Sequence, residues 1–184
     1  AGEFITTEGA TLAQAFWMLG IEPVRDNQGR VVDLKLIPSE ELGRPRINVV
    51  IQISGQLRDI AGSCLKLLTD AVRLASESPD EAYPNYVASG TLLQEKTLMD
   101  KGIAPKEARK MSIMRVFGPV NSGYSTGILG YTESSGSWED EKEIAEGFLN
   151  NMGATYGDDE NWGSFQKDLF ASALTETDVV IQPR

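Results

Sequence analysis

Three stretches of this 184-residue sequence bring together side chains able to do chemistry. The first, Ser54-Gly55-Gln56-Leu57-Arg58-Asp59, places a guanidinium and a carboxylate on a small-residue turn directly after a run of β-branched residues. Ligands of open α/β sheets bind beyond the carboxyl ends of strands, and an arginine there can clamp a carboxylate or phosphate through two parallel hydrogen bonds. The second runs from Arg115 to Gly127 and combines three glycines and a proline with Asn121, Ser122, Tyr124, Ser125 and Thr126. Glycine lets backbone approach a ligand closely and can turn successive N–H groups toward an anion. The third pairs Trp138-Glu139-Asp140-Glu141 with Asp158-Asp159-Glu160, where carboxylates alone can hold a hard divalent ion. Each has a plainer use: a loop fixed by an ion pair, a tight core-crossing loop, and the acidic first turn of a helix beside a solvated loop.

Composition removes several other chemistries. With no histidine and the single Cys64, the sequence has no Ser-His-Asp or Cys-His nucleophile, no histidine zinc site and no intrachain disulfide. No metal ligand set and no catalytic group is assigned. A net charge of −10 and an isoelectric point near 4.5 argue against a nucleic-acid footprint, which needs a basic face. The glycine-rich stretch lacks both the Gly-Lys-Ser/Thr of a phosphate loop and dinucleotide-type spacing. No apolar run reaches membrane-spanning length and no signal peptide is legible, so a cytoplasmic location is expected.

The elements that must position these residues follow from periodicity. Leu12, Ala15, Phe16 and Leu19 mark one face of a helix over 11–19, with Gly20 at its end. Residues 21–25 and 30–37, joined by Asp26-Asn27-Gln28-Gly29, read as a hairpin with one wet face. Residues 38–46 are a polar connector. Residues 47–54 read as a strand buried on both faces, and 65–76 as the helix after it. Helices are expected over 85–100, from Pro105, over 138–149 behind a Ser137 cap, and over 162–174. A buried strand is expected over 178–182. The fold class is α/β: a mainly parallel sheet flanked by helices, with an N-terminal β-hairpin appendage. Residues 1–4 read as a cloning remnant and 5–184 as one domain, or a portion of one, cut from a much longer subunit.

Three long phrases carry a family resemblance. Glu41 to Val50, continuing through Ile53-Ser54-Gly55-Gln56-Leu57-Arg58-Asp59, resembles the "LGRPRIDVV…SG…RD" pattern of the large subunits of ATP-dependent tetrapyrrole metal chelatases. These comprise the cobaltochelatase subunit CobN and the porphyrin-binding H subunit of magnesium chelatase. Arg115 to Ile128 is similar to that family's "RVFGPVNGGYGTGI". Trp138 to Glu141 with Phe148 to Gly157 is similar to its "W.DE…YLNNMGAYG" block, and the order and separation also agree.

The resemblance implies an internal portion of a subunit of well over a thousand residues. Such subunits bind the tetrapyrrole, a corrinoid precursor or porphyrin, and carry the insertion site, while separate AAA+ subunits hydrolyse ATP. No cofactor is expected on this segment; the parent acts on cobalt or magnesium. Leu57 and Ile60 stand where the family commonly has aromatics, and the glycine-rich phrase leans toward the cobalt branch. On these grounds Arg58, Asp59, Arg115, Asn121 and Tyr124 are the ligand-binding candidates. Arg58 or Arg115 would pair with a tetrapyrrole carboxylate, and Asn121 or Tyr124 would hydrogen-bond the ring or brace the loop. Two alternatives stay open: a magnesium-type subunit, and a docking domain whose acidic surface receives a basic partner.

Overall fold

The computed structural model describes residues 2–79, 82–120, 124–133 and 138–181. Its first half contains α1 (Gly2–Thr6), α2 (Ala10–Leu19), β1 (Ile21–Arg25), β2 (Val31–Leu36), α3 (Ser39–Leu42), β3 (Ile51–Gln52), α4 (Gly55–Ile60) and α5 (Gly62–Ser76). Then come α6 (Tyr86–Asp100), α7 (Pro105–Met111), β4 (Val116–Gly118), α8 (Leu129–Glu133), α9 (Glu141–Met152), β5 (Ala154–Thr155), β6 (Ser164–Phe165) and α10 (Lys167–Thr175).

The hairpin forms as its sequence indicates. β1 and β2 pair antiparallel, and Asp26 closes the turn by accepting from the backbone N–H groups of Gln28 and Arg30. Gly20 ends α2 in the left-handed conformation, donating its N–H back to the helix. Two arginines of the connector secure this corner. Arg44 stacks on Trp17, 3.7 Å from the ring centroid, and donates to the Trp17 and Met18 carbonyls. Arg46, fully buried, donates to the carbonyls of Leu19, Gly20 and Ile37. Both cations therefore sit at the negative end of the α2 dipole. The connector itself contains the short helix α3.

The main sheet has the order β3-β4-β5-β6 and is mixed, which corrects the expectation of a mainly parallel sheet. Only β3 and β4 run parallel; β4–β5 and β5–β6 are antiparallel. The helices α5, α6 and α7 fill the crossover between β3 and β4, as a parallel pair requires. The returns to β5 and β6 reverse direction instead. The apolar run 47–54 narrows to a two-residue edge strand with Gln52 exposed.

β4 is central and buried on both faces, and its side chains alternate between two apolar clusters. Val116 joins Leu19, Ile53, Leu65, Leu68, Val72 and Tyr156 on the side of α2 and α5. Phe117 joins Leu98, Met114, Met152, Leu169 and Phe170 on the other, stacked on Phe170 at 4.7 Å. Full burial of each large apolar side chain is worth about 1.5–3 kcal/mol, so this three-residue strand anchors both halves of the core.

Three boundaries differ from expectation. Asp140, not Ser137, caps α9, accepting from the N–H groups of Lys142 and Glu143; Ser137 lies outside the described residues. The expected helix over 162–174 begins as β6, because Ser164 and Phe165 pair with β5, and turns helical only at Lys167. Residues 178–181 form no strand among the described residues and are exposed, so the expected buried strand is not formed there. Gln182 lies outside the described residues.

Candidate functional site

Because β3 and β4 run parallel, their carboxyl ends open on the same side, toward Ser54 and Pro119. The Ser54 hydroxyl caps α4 by accepting from the Leu57 N–H, and this short helix carries Arg58 and Asp59 into the opening. The Arg58 Nε donates to an Asp59 carboxylate oxygen at 2.8 Å. The guanidinium lies over the Tyr156 ring, 5.7 Å from its centroid, and hydrogen-bonds the phenol oxygen. That phenol donates to the Pro119 carbonyl at the end of β4. A chain of contacts thus ties α4 to the central strand through Tyr156. Trp162 meets Tyr156 edge-on at 5.3 Å, and Lys66 lies over Trp162, so cations flank both ends of an aromatic pair.

Exposure separates the two charges. The Arg58 side chain is only 13% exposed, whereas that of Asp59 is 45% exposed. The guanidinium is covered and committed, and the carboxylate faces outward. The charge-assisted hydrogen bond from Arg58 holds the Asp59 pKa below the ordinary carboxylate range, with a smaller contribution from the Tyr124 hydroxyl. The same bond, with that to Tyr156, pushes Arg58 higher still. Tyr124 is 58% exposed beside this carboxylate. An ionised carboxylate with a phenol next to it can accept from an N–H or from water on a hydrated cation; its low pKa makes it a weak store for a proton.

Of the expected candidates, Arg58, Asp59 and Tyr124 converge here. Asn121 lies outside the described residues. Arg115 stands just before β4, at the opposite end from Pro119, and is buried. Its Nε donates to Asn48 Oδ1 at 3.0 Å and its Nη1 to Gln94 Oε1 at 2.7 Å, with further bonds to the Ser112 and Met114 carbonyls. Desolvation pushes its pKa down to about 10, still protonated at neutral pH.

The glycine-rich stretch uses two of its glycines for packing. A Cβ on Gly118 would lie 2.7 Å from Ile53, and one on Gly127, where φ is +75°, would lie 2.2 Å from Asn151. The acidic stretches are structural as well: Asp140 is a helix cap and Asp158 accepts from the Asn161 N–H. No cluster of three potential metal ligands occurs among the described residues.

Sequence reasoning missed Tyr156, because tyrosine spacing says nothing by itself. Its placement within Gly153-Ala154-Thr155-Tyr156-Gly157 was the available signal: Gly157 admits Thr69 so closely that a Cβ would come within 2.1 Å of the hydroxyl. It also missed Asn48, Thr91 and Gln94, the side chains that receive Arg115.

Comparison with known proteins covers the whole chain. A sequence model of the family described as CobN/Magnesium Chelatase matches residues 1–184. The magnesium-chelatase subunit ChlH of Oryza sativa subsp. japonica is 34% identical over 180 residues, 97% of this chain and 12% of that protein. The aerobic cobaltochelatase subunit CobN of Pseudomonas aeruginosa is 32% identical over 176 residues, 95% of this chain and 14% of that protein. The solved catalytic subunit of cobaltochelatase from Mycobacterium tuberculosis superposes with a TM-score of 0.76 at 31% identity, covering 88% of this chain and 13% of that one. The chain therefore spans about an eighth of the length of these relatives.

Proposed function

This chain belongs to the CobN/magnesium chelatase family, and from that premise we propose that it is a segment of a large subunit that holds a tetrapyrrole during insertion of a divalent metal ion. Cobalt and a corrin-type macrocycle, as in cobalamin biosynthesis, are the favoured substrates, and separate AAA+ subunits supply ATP hydrolysis. The observation that carries the reading is the agreement between the full-length family match and the Arg58–Asp59–Tyr124 group at the strand ends. Insertion requires two pyrrole N–H protons to leave and the ion to exchange water for nitrogen. Asp59, held ionised, is suited to accept from a pyrrole N–H or from a metal-bound water, and Tyr124 to hydrogen-bond the ring or brace the carboxylate. Arg58 acts through Asp59 as a positioning residue.

The test uses a full-length subunit carrying this segment, with its ATPase partners. Asp59→Asn is expected to slow insertion while leaving the fold unchanged. An unchanged rate and unchanged tetrapyrrole affinity in both Asp59→Asn and Tyr124→Phe would remove the site assignment. The cobalt preference is tested in the same assay by offering cobalt and magnesium with a corrinoid precursor and a porphyrin.

The net charge of −10 favours a second reading, a docking domain for a basic face of the ATPase partners. Its signature is capture of those subunits by this chain that fades as ionic strength rises. Among the described residues no helix is long and apolar enough to cross a membrane. A cytoplasmic location remains part of the proposal, and the rice relative is named as chloroplastic.

A further inference from the structure

The guanidinium of Arg115 offers five N–H donors, and every acceptor around it is neutral. Nε is taken by Asn48, and Nη1 is shared among Gln94, Ser112 and Met114. Nη2 has a single long contact, 3.3 Å to the Thr91 hydroxyl, and so keeps a donor in reserve. The ion pairs among the described residues do not include Arg115. A buried cation ordinarily has a counter-charge, because neutral dipoles replace only part of its lost hydration.

Arg115 lines a cavity of about 210 Å³ together with the two side chains that hold it, Asn48 and Gln94, and with Thr97 and Ser172. Gln94 is itself fixed, donating to the Leu169 carbonyl at 3.2 Å. Gly90, in the middle of α6, leaves the space Asn48 needs: a Cβ there would lie 2.4 Å from the Asn48 amide nitrogen. Glycine inside a helix costs about 1 kcal/mol relative to alanine, and here it permits the arginine's cradle. Val50, Leu93 and Ala173 supply apolar wall, and Thr175 and the exposed Glu176 complete the lining, so one carboxylate of the chain already borders this space. The space is below the roughly 300–1,000 Å³ of sites for drug-sized ligands, and suits a group the size of acetate or propionate.

We propose that this cavity is a carboxylate-binding site, separate from the strand-end crevice, in which Arg115 supplies the charge and its Nη2 edge the open donor. The carboxylate is either a free small acid or the acid arm of a larger ligand; only the second form rests on the tetrapyrrole reading.

The test titrates the 184-residue chain with sodium propionate at constant ionic strength, following the side-chain NMR signals of Arg115 Nε, Asn48 and Gln94. Saturable shifts confined to these groups are expected, absent with chloride and at least tenfold weaker with propionamide. No shift, or an equal response to propionamide, overturns the proposal. Because Arg115→Met is liable to unfold the chain, the informative variant is Ser172→Leu, which fills the cavity and leaves the guanidinium in place. Folded Ser172→Leu is expected to lose the response, and a retained response overturns the site. A porphyrin with free propionates and its methyl ester distinguish the two sources. Competition by the free acid alone supports the ligand-arm form. Propionate binding without porphyrin competition supports the free-acid form, leaving the tetrapyrrole reading of the crevice to its own test.

Discussion

Arg58 and Arg115 stand at opposite ends of the same central strand, and the sequence marks both as ligand-binding candidates. Near the carboxyl end, Arg58 meets an exposed carboxylate and a tyrosine, so its charge is neutralised and the outward-facing chemistry passes to Asp59. At the amino end, Arg115 is enclosed by amides, a hydroxyl and carbonyls, so its charge is solvated by fixed dipoles and holds the chain together. One residue type thus gives a positioning group in one place and a structural cation beside a cavity in the other. The difference lies in burial and in whether the partner carries charge.

The largest effect expected from this contrast is on stability. Arg115→Met leaves Gln94, Asn48 and two carbonyls without their donor, and is expected to cost about 1–3 kcal/mol in chemical denaturation for each buried acceptor that finds no other donor. Arg58→Gln, which removes a covered guanidinium bonded to Asp59 and Tyr156, is expected to cost less, about 1.5 kcal/mol, the scale of one hydrogen bond to a charged group. Equal losses in the two variants would erase the comparison. Next in size, Gly90→Ala should destabilise by about 1–3 kcal/mol despite the better helix propensity of alanine, because Asn48 must give way. A neutral or stabilising result would mean that the Arg115 cradle relaxes freely.

At the other end of the strand the readout is activity. In a full-length subunit, Asp59→Asn and Arg58→Gln are expected to lower the insertion rate about tenfold or more, the scale of one hydrogen bond to a charged group, with the circular dichroism spectrum retained. A smaller effect concerns pH. The folded-state pKa of Asp59 lies below its unfolded value, so its contribution to stability is fully present above the unfolded pKa. It is lost as the pH falls through the folded pKa. Carboxyl-carbon NMR should therefore place the Asp59 midpoint below 3.8, and Arg58→Gln should move it upward. Tyr124→Phe, removing only the lesser hydrogen bond, should shift that midpoint upward by less. A Tyr124→Phe shift as large as that of Arg58→Gln would reverse the order of causes.

Much of the helical framework was legible because its signals are local. Leu12, Phe16 and Leu19 with Gly20 define α2, Asn85 caps α6 through two N–H groups, and Pro105 opens α7. The sheet was less legible. The run 47–54 reads as a long buried strand because β-branched residues record burial, and burial does not fix how many ladder bonds form or which neighbour supplies them. Residues 164–165 carry too little periodicity to announce a strand, and their pairing with β5 is set by the irregular turn at 158–163 that joins the two. The site divides the same way. Arg58 next to Asp59 is visible as a charged pair after a strand, but Tyr156 reaches it across nearly a hundred residues, by a contact with no sequence periodicity.

The sequence by itself determined the family, through three long phrases in order, and determined which chemistries are absent, since no folding supplies a missing histidine. It also determined the local devices, caps and glycine turns, whose partners lie within a few residues. Only the tertiary structure decided that Asp59 rather than Arg58 faces outward and that Arg115 closes on Asn48 and Gln94. Those outcomes depend on desolvation and on which neutral or charged groups surround each side chain. Both are properties of packing between segments far apart in the chain, and a guanidinium carries the same charge in the sequence wherever the fold puts it.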